Sequence, residues 1–174
     1  MYRAAILTIL SVLIGFATAA ADPAAKPSDP QIAHIAYTAG SLDIEAAKQA
    51  LKKSKNKDVI AFAKNMVSDH QAVNDKALAL VKKLKVTPQA NPTSAALTKA
   101  ADAERAKLSK LKGAAFDRAY VNNEVAFHKT VNGALASTLI PSAKNGELKS
   151  LLETGLTLFK EHQAHAEQLA AKLK

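Results

Sequence analysis

Apolar residues recur along much of this chain at alternating steps of four and three, the spacing that turns one side of a helix toward its neighbours. One stripe reads Val59, Ala63, Met66, His70, Val73, Ala77, Leu80 and Leu84. The last reads Leu148, Leu152, Gly155, Phe159, His162, Ala166, Leu169 and Leu173, and one between them carries Tyr120, Glu124, His128, Val131 and Leu135. In each, an imidazole stands where the period calls for a core side chain. Three helices therefore aim histidine at one interior. A polar group buried without a partner costs about 1–3 kcal/mol, so these side chains need each other, water or a metal ion.

Caps and breakers set the element boundaries. Ser28, Asp29, Pro30 and Gln31 make a helix start, with Ser28 as cap and Gln31 placed to close a capping box. The first helix is expected over about 29–53, with a bend near Gly40 and Ser41. Lys55–Lys57 reads as a tight turn, and a second helix follows over 58–85 until Thr87 and Pro88 stop it. Residues 86–113 are too many for a hairpin connection and carry a helical pattern of their own over 94–111. We read them as a crossover containing a short helix. A third long helix spans 114–139 and ends at Pro141; a fourth fills 146–173. No strand pattern competes, so the fold class is all-α: a four-helix bundle with a long helix-containing crossover between helices two and three.

This topology brings particular polar residues to one level. If the crossover runs the length of the bundle, helices two and three start at the same end, with His70 and His128 roughly 12 and 14 residues from those starts. At about 1.5 Å per residue they share a height. Glu45 and His162 lie roughly 8 and 11 residues from that end on helices one and four, so Glu45, His70, Glu124, His128 and His162 converge. An up-and-down bundle aligns the first three helices about as well, so this convergence favours the crossover form without requiring it.

Glu124 and His128 are four apart on one helix face and can reach a common point. Bundles that bind paired metals usually present a Glu from each of two helices and Glu-x-x-His from the other two. Here that motif is missing, Asp69-His70 and His162-x-x-His165 stand in its place, and imidazole outnumbers carboxylate. Such a set suits one Zn, Cu, Ni or Fe ion rather than an oxygen-activating pair, which disfavours a di-metal oxidase. The plainer reading is a hydrogen-bonded polar layer that fixes helix register; haem or another cofactor is a third. Asp69 lies one residue off the stripe and is expected to pair with a lysine or backbone group, the other reading being a carboxylate behind a ligand. Asp117 reads as helix-dipole chemistry near a helix start, and His34 and His165 as peripheral or solvent-facing.

Composition narrows the class. The 174 residues, 48% hydrophobic, suffice for one domain with a sizeable core. Arg3, the apolar run Ala4–Phe16 and the small residues Ala17, Thr18 and Ala19 form a secretory signal, cleaved after Ala19 or Ala21. The expected organisation is therefore a signal over 1–21, a flexible leader over 22–28 and the bundle over 29–174, with the mature protein periplasmic and not inserted in a membrane. The chain has no cysteine, which excludes disulfides, thiolate metal sites, a lipoprotein anchor and c-type haem attachment. Its formal net charge of +9 is dispersed between apolar helix positions. Without a basic stripe interleaved with aromatics, nucleic acid is not an expected partner. No nucleophile elbow, phosphate loop or zinc-protease motif is present.

The segments NKDVIAFAKNMVSDHQAVNDKALAL, FDRAYVNNEVAFHKTV and FKEHQAHAEQLA resemble the domain of unknown function 4142 family, exported bacterial proteins regarded as ferritin-like bundles. The resemblance covers roughly residues 31–173 and is most specific at Met66, Val67, Asp69 and His70. Phe116, Asp117, Tyr120, His128, His162, Ala166 and Leu169 also fit; His165 is outside the pattern. The resemblance implies a ferritin-like fold and export, and it assigns no activity. The family's loose label of outer-membrane protein finds no counterpart in the mature sequence, where nothing reads as a membrane span.

Overall fold

The computed structural model describes residues 26–173, and the expected signal and most of the leader lie outside them. The described chain is all-α: α1 (Asp29–Lys53), α2 (Lys57–Lys83), α3 (Pro92–Ser109), α4 (Gly113–Ala134), α5 (Ile140–Ser142) and α6 (Gly146–Lys172). A π-helical turn, Leu135–Leu139, joins α4 to α5 just ahead of Pro141. Pro141 has no N–H to give, and its ring excludes a carbonyl from the preceding α turn, which accounts for the wider turn there. No described helix is long and apolar enough to cross a membrane.

Local chemistry places the ends. Ser28 N–H donates to Gln31 Oε1 at 2.9 Å, the reciprocal half of the expected capping box. Asn56 Oδ1 accepts from the backbone N–H groups of Asp58 (2.9 Å) and Val59 (3.2 Å) to start α2. At its other end Lys85 adopts a left-handed conformation (φ 53°), Val86 N–H donates to Val81 O and Lys85 N–H to Lys82 O. That closure satisfies carbonyls a helix end leaves bare. Gly40 does not interrupt α1, where a bend was expected. A Cβ at this position would stand 2.5 Å from Asn74 Oδ1, so the glycine serves the close approach of α2.

The connections fix the direction of each helix. After α2 the chain returns to the start of α1, where Gln89 N–H donates to Pro30 O and Asn91 Nδ2 to Gln31 O. From there α3 runs alongside α1 to its far end, where Gln49 Nε2 donates to Arg105 O and Lys53 Nζ to Ser109 O. Thus α2 and α4 start at the same end and run parallel, as the crossover reading requires. The turn into α6 comes back to Asp29, whose carboxylate accepts from the N–H groups of Lys144 and Asn145 at 2.8 Å each.

Two apolar clusters fill the interior. One gathers Ala47, Ala50, Val59, Phe62, Met66, Phe116, Val121, Ala166 and Leu169 toward the α2 and α4 starts. The other gathers Ile32, Ile35, Leu135, Leu139, Leu148 and Leu152 toward the start of α1. A layer of buried polar side chains lies between them.

Candidate metal centre

Four helices supply that layer: Asp43 from α1, His70 from α2, Glu124 and His128 from α4, and His162 from α6, none more than 5% exposed. The three imidazole rings pack at centroid separations of 5.2 to 5.6 Å. His70, His128 and His162 each offer a nitrogen within 4.8 Å of the other two, and so do Asp43, Glu124 and His128 with their donor atoms. His70, Glu124, His128 and His162, expected to converge, do so. Glu45 does not. It is exposed and pairs with Arg105 on α3, because it lies two residues beyond the inward position. That position is Asp43, which the sequence argument missed. The signal was present: Ile32, Ala39, Asp43, Ala46 and Ala50 continue the same apolar stripe on the first helix.

Two of the imidazoles are oriented by hydrogen bonds, one to a backbone carbonyl and one to a carboxylate beside the layer. His128 Nδ1 lies 3.0 Å from the backbone carbonyl of Glu124, an acceptor only, so Nδ1 carries the proton and Nε2 is bare. His162 Nε2–H donates to Asp69 Oδ2 at 3.0 Å, which leaves His162 Nδ1 bare and buried. Asp69 therefore stands behind an imidazole rather than beside a lysine. His70 has neither nitrogen engaged among the described residues, and its ring is held by stacking on Phe159 at 4.6 Å and 9°.

Asp43 Oδ2 lies 3.4 Å from His70 Nε2 and 3.4 Å from His128 Nε2. Neither contact is a hydrogen bond, and among the described residues Asp43 has no hydrogen-bond partner on either oxygen. Four donors at about 2.0–2.1 Å from one ion in a tetrahedron stand about 3.3–3.4 Å from each other. The two separations from Asp43 Oδ2 match that edge, and the nitrogens of His70, His128 and His162 lie within 4.8 Å of one another. Glu124 Oε2 lacks a partner too and stands 3.8 Å from His128 Nδ1.

Burial governs the ionisation of this layer. It pushes the Asp43 carboxyl up to about 8. Burial raises Glu124 well above the carboxylate range, and the charge of Asp43 adds to the effect. It lowers His128 to about 4, and His70 well below its ordinary value, where the neighbouring imidazoles act in the same direction. His162 is also lowered by burial, against the opposing pull of Asp69. Burial thus biases the layer toward its uncharged forms, protonated carboxyls and neutral imidazoles. A cation reverses this preference by displacing the carboxyl protons.

Other titratable residues sit elsewhere. His165 is exposed with its ring edge-on to Phe62, and His34 is half-buried beside Thr38. Asp117 is buried beyond the first turn of α4, with Oδ1 unpartnered among the described residues. Asp43 and Glu124 also line a cleft of about 430 Å³ beneath α3, walled by small side chains including Ala46, Ala100 and Ala126. The cleft borders the cluster on the α3 side, while the oxygens of Asp43 and Glu124 Oε2 are themselves buried.

A family profile described as a domain of unknown function, DUF4142, matches residues 15–169. The chain belongs to this family. Among solved structures it is similar to a DUF305 protein from Streptomyces coelicolor described as secreted, with 12% sequence identity over 82% of this chain and 91% of that one, at a TM-score of 0.70. At that identity the likeness establishes a shared fold. No curated protein matches the chain.

Proposed function

We propose that the protein is an exported, ferritin-like bundle that holds one transition-metal ion (Zn, Cu, Ni or Fe) through His70, His128, His162 and Asp43 and serves envelope metal handling or stress protection. Glu124 is a further donor for an ion that takes more than four, and Asp69 orients His162. The observation that carries this reading is the placement of Asp43 Oδ2 3.4 Å from two imidazole nitrogens without hydrogen bonding to either. A layer built only to fix register would be expected to close direct imidazole–carboxylate bonds, because each buried unpartnered group costs about 1–3 kcal/mol. Three imidazoles and a carboxylate suit these borderline ions better than Mg or Ca.

Export rests on the signal-like segment over 1–21, and the described neighbour being a secreted protein is in keeping with it. In this reading the mature protein is the single domain over 29–174, in the periplasm, with no role on nucleic acid or within the bilayer. The test is elemental analysis of untagged protein purified from that compartment, followed by calorimetry with Zn and Cu at neutral pH. We expect one ion per chain, and loss of binding in His128→Gln. Wild-type protein that binds none of Zn, Cu, Ni or Fe at micromolar concentration would leave a metal-free bundle with a polar layer.

A further inference from the structure

A second cavity, apart from the histidine cluster but sharing a wall with it, opens between α1, the first half of α3 and the π-helical turn after α4. Its volume is about 630 Å³, within the range of small-molecule sites at roughly 300–1,000 Å³. Ile35, Leu97, Leu135 and Leu139 contribute apolar surface, and Phe159 separates the cavity from the His70 ring on which it stacks. Protein interiors are ordinarily filled, and unfilled apolar space is destabilising. Here Ala36, Ala39 and Ala134 line the space with side chains too short to close it. Above it α3 presents Pro92, Thr93 and Leu97, and Ser94 and Leu108 are its only buried side chains.

The polar part of the lining has one sign of charge. Lys26, Gln31 and Thr93 border the cavity, no acidic residue lines it, and Lys26 has no carboxylate partner among the described residues. Gln31 uses Oε1 on Ser28, which leaves its amide N–H groups to donate. We propose that this cavity binds an amphipathic anion with a single acyl chain, of the fatty-acid class. The chain lies among Leu97, Leu135 and Phe159, and the carboxylate meets Lys26 with Gln31 and Thr93 beside it. The apolar walls select the chain and the cation selects the headgroup; a cationic amphiphile of equal length gains only the first term.

The test uses the processed protein, metal-free, with dodecanoate and dodecyltrimethylammonium below their micellar concentrations, followed by calorimetry. We expect saturable 1:1 binding of dodecanoate at least tenfold tighter than of the ammonium. Ala134→Phe fills the cavity and should weaken dodecanoate at least tenfold, while Lys26→Glu should abolish the headgroup preference and leave the chain contribution. Val131→Phe tests the same filling if Ala134→Phe proves unfolded by circular dichroism. No saturable binding, equal affinity for both headgroups, or undiminished binding in a folded filling variant overturns the proposal. So does binding that appears only after removal of residues up to 25, which would make the leader the occupant, or a dimer that covers this face.

Discussion

Asp43 keeps its proton to about pH 8 because burial penalises the carboxylate, and its neighbours are imidazoles that burial keeps neutral. Between the ordinary carboxyl value of 3.8 and about 8, folded metal-free protein holds a proton that the unfolded chain has released. Its contribution to stability is therefore complete below the lower value and is lost as pH rises toward the upper one. His128 acts in the opposite direction, losing its contribution as pH falls from 6.5 to about 4. Asp43→Asn removes only the first term. Denaturant melts of metal-free protein should find Asp43→Asn stabilised relative to wild type at pH 8, by of order 1 kcal/mol or more, and less so at pH 5. A difference that does not change with pH would contradict the buried, protonated carboxyl.

Asp69 yields a second expectation at this scale. Removing a partner that orients a metal-ligating imidazole typically weakens binding about 10–100-fold. Asp69→Asn keeps a hydrogen-bond acceptor while removing the charge, and should weaken Zn binding in calorimetry by the lower part of that range without unfolding the protein. Unchanged affinity would mean that His162 is not a ligand. The sequence was misleading at one donor. His70, Glu124, His128 and His162 were legible because their stripes are long and their imidazoles break an apolar period. Glu45 was inferred from height along the helix alone. Rotation decides burial, and two residues turn a side chain about 200° around the axis, which is why Asp43 occupies the interior and Glu45 the Arg105 contact.

Among the elements, α1 and α2 approach closely at Gly40, where Asn74 fills the space of a Cβ and donates to Ser41 Oγ at 3.2 Å. The period of α1 could not reveal this, since glycine there reads equally as a flexible point or a packing surface. The distinction has a measurable consequence. Gly40→Ala gains about 1 kcal/mol in helix propensity but drives a methyl into Asn74, and such overpacking costs about 1–3 kcal/mol. Thermal or denaturant melts should show a net loss in Gly40→Ala, recovered in the double variant Gly40→Ala, Asn74→Ala to above the Asn74→Ala single. If Gly40→Ala alone stabilises, the close approach is wrong and the glycine only loosened the helix. The α3 crossover, in contrast, was readable as an element from its length and helical pattern, but not as the cover of two cavities. Its weak amphipathic pattern reflects its few buried side chains, Ser94 and Leu108.

For the whole molecule, the polar layer lies between two apolar clusters that seal it from both ends of the bundle. A fold shared with a protein of 12% identity rests on helix period, caps and crossover length rather than on particular side chains, which is why the architecture was legible where the donor set was only partly so. The layer is a cost when empty and a fastener when an ion joins all four helices. Ligand that binds only the folded state at 100 times its Kd adds about 2.7 kcal/mol, and for a domain of this size each kcal/mol moves the melting temperature about 2–4 °C. Zn at that excess should therefore raise Tm by roughly 5–11 °C at pH 7.5, reversed by chelator. The rise should shrink at pH 5, because displacing the Asp43 and Glu124 protons becomes harder as protons grow more abundant. His128→Gln should show no rise at either pH. If the variant is stabilised as much as wild type, the ion is bound at surface groups such as His34 or His165, and the four-helix layer is not the metal centre.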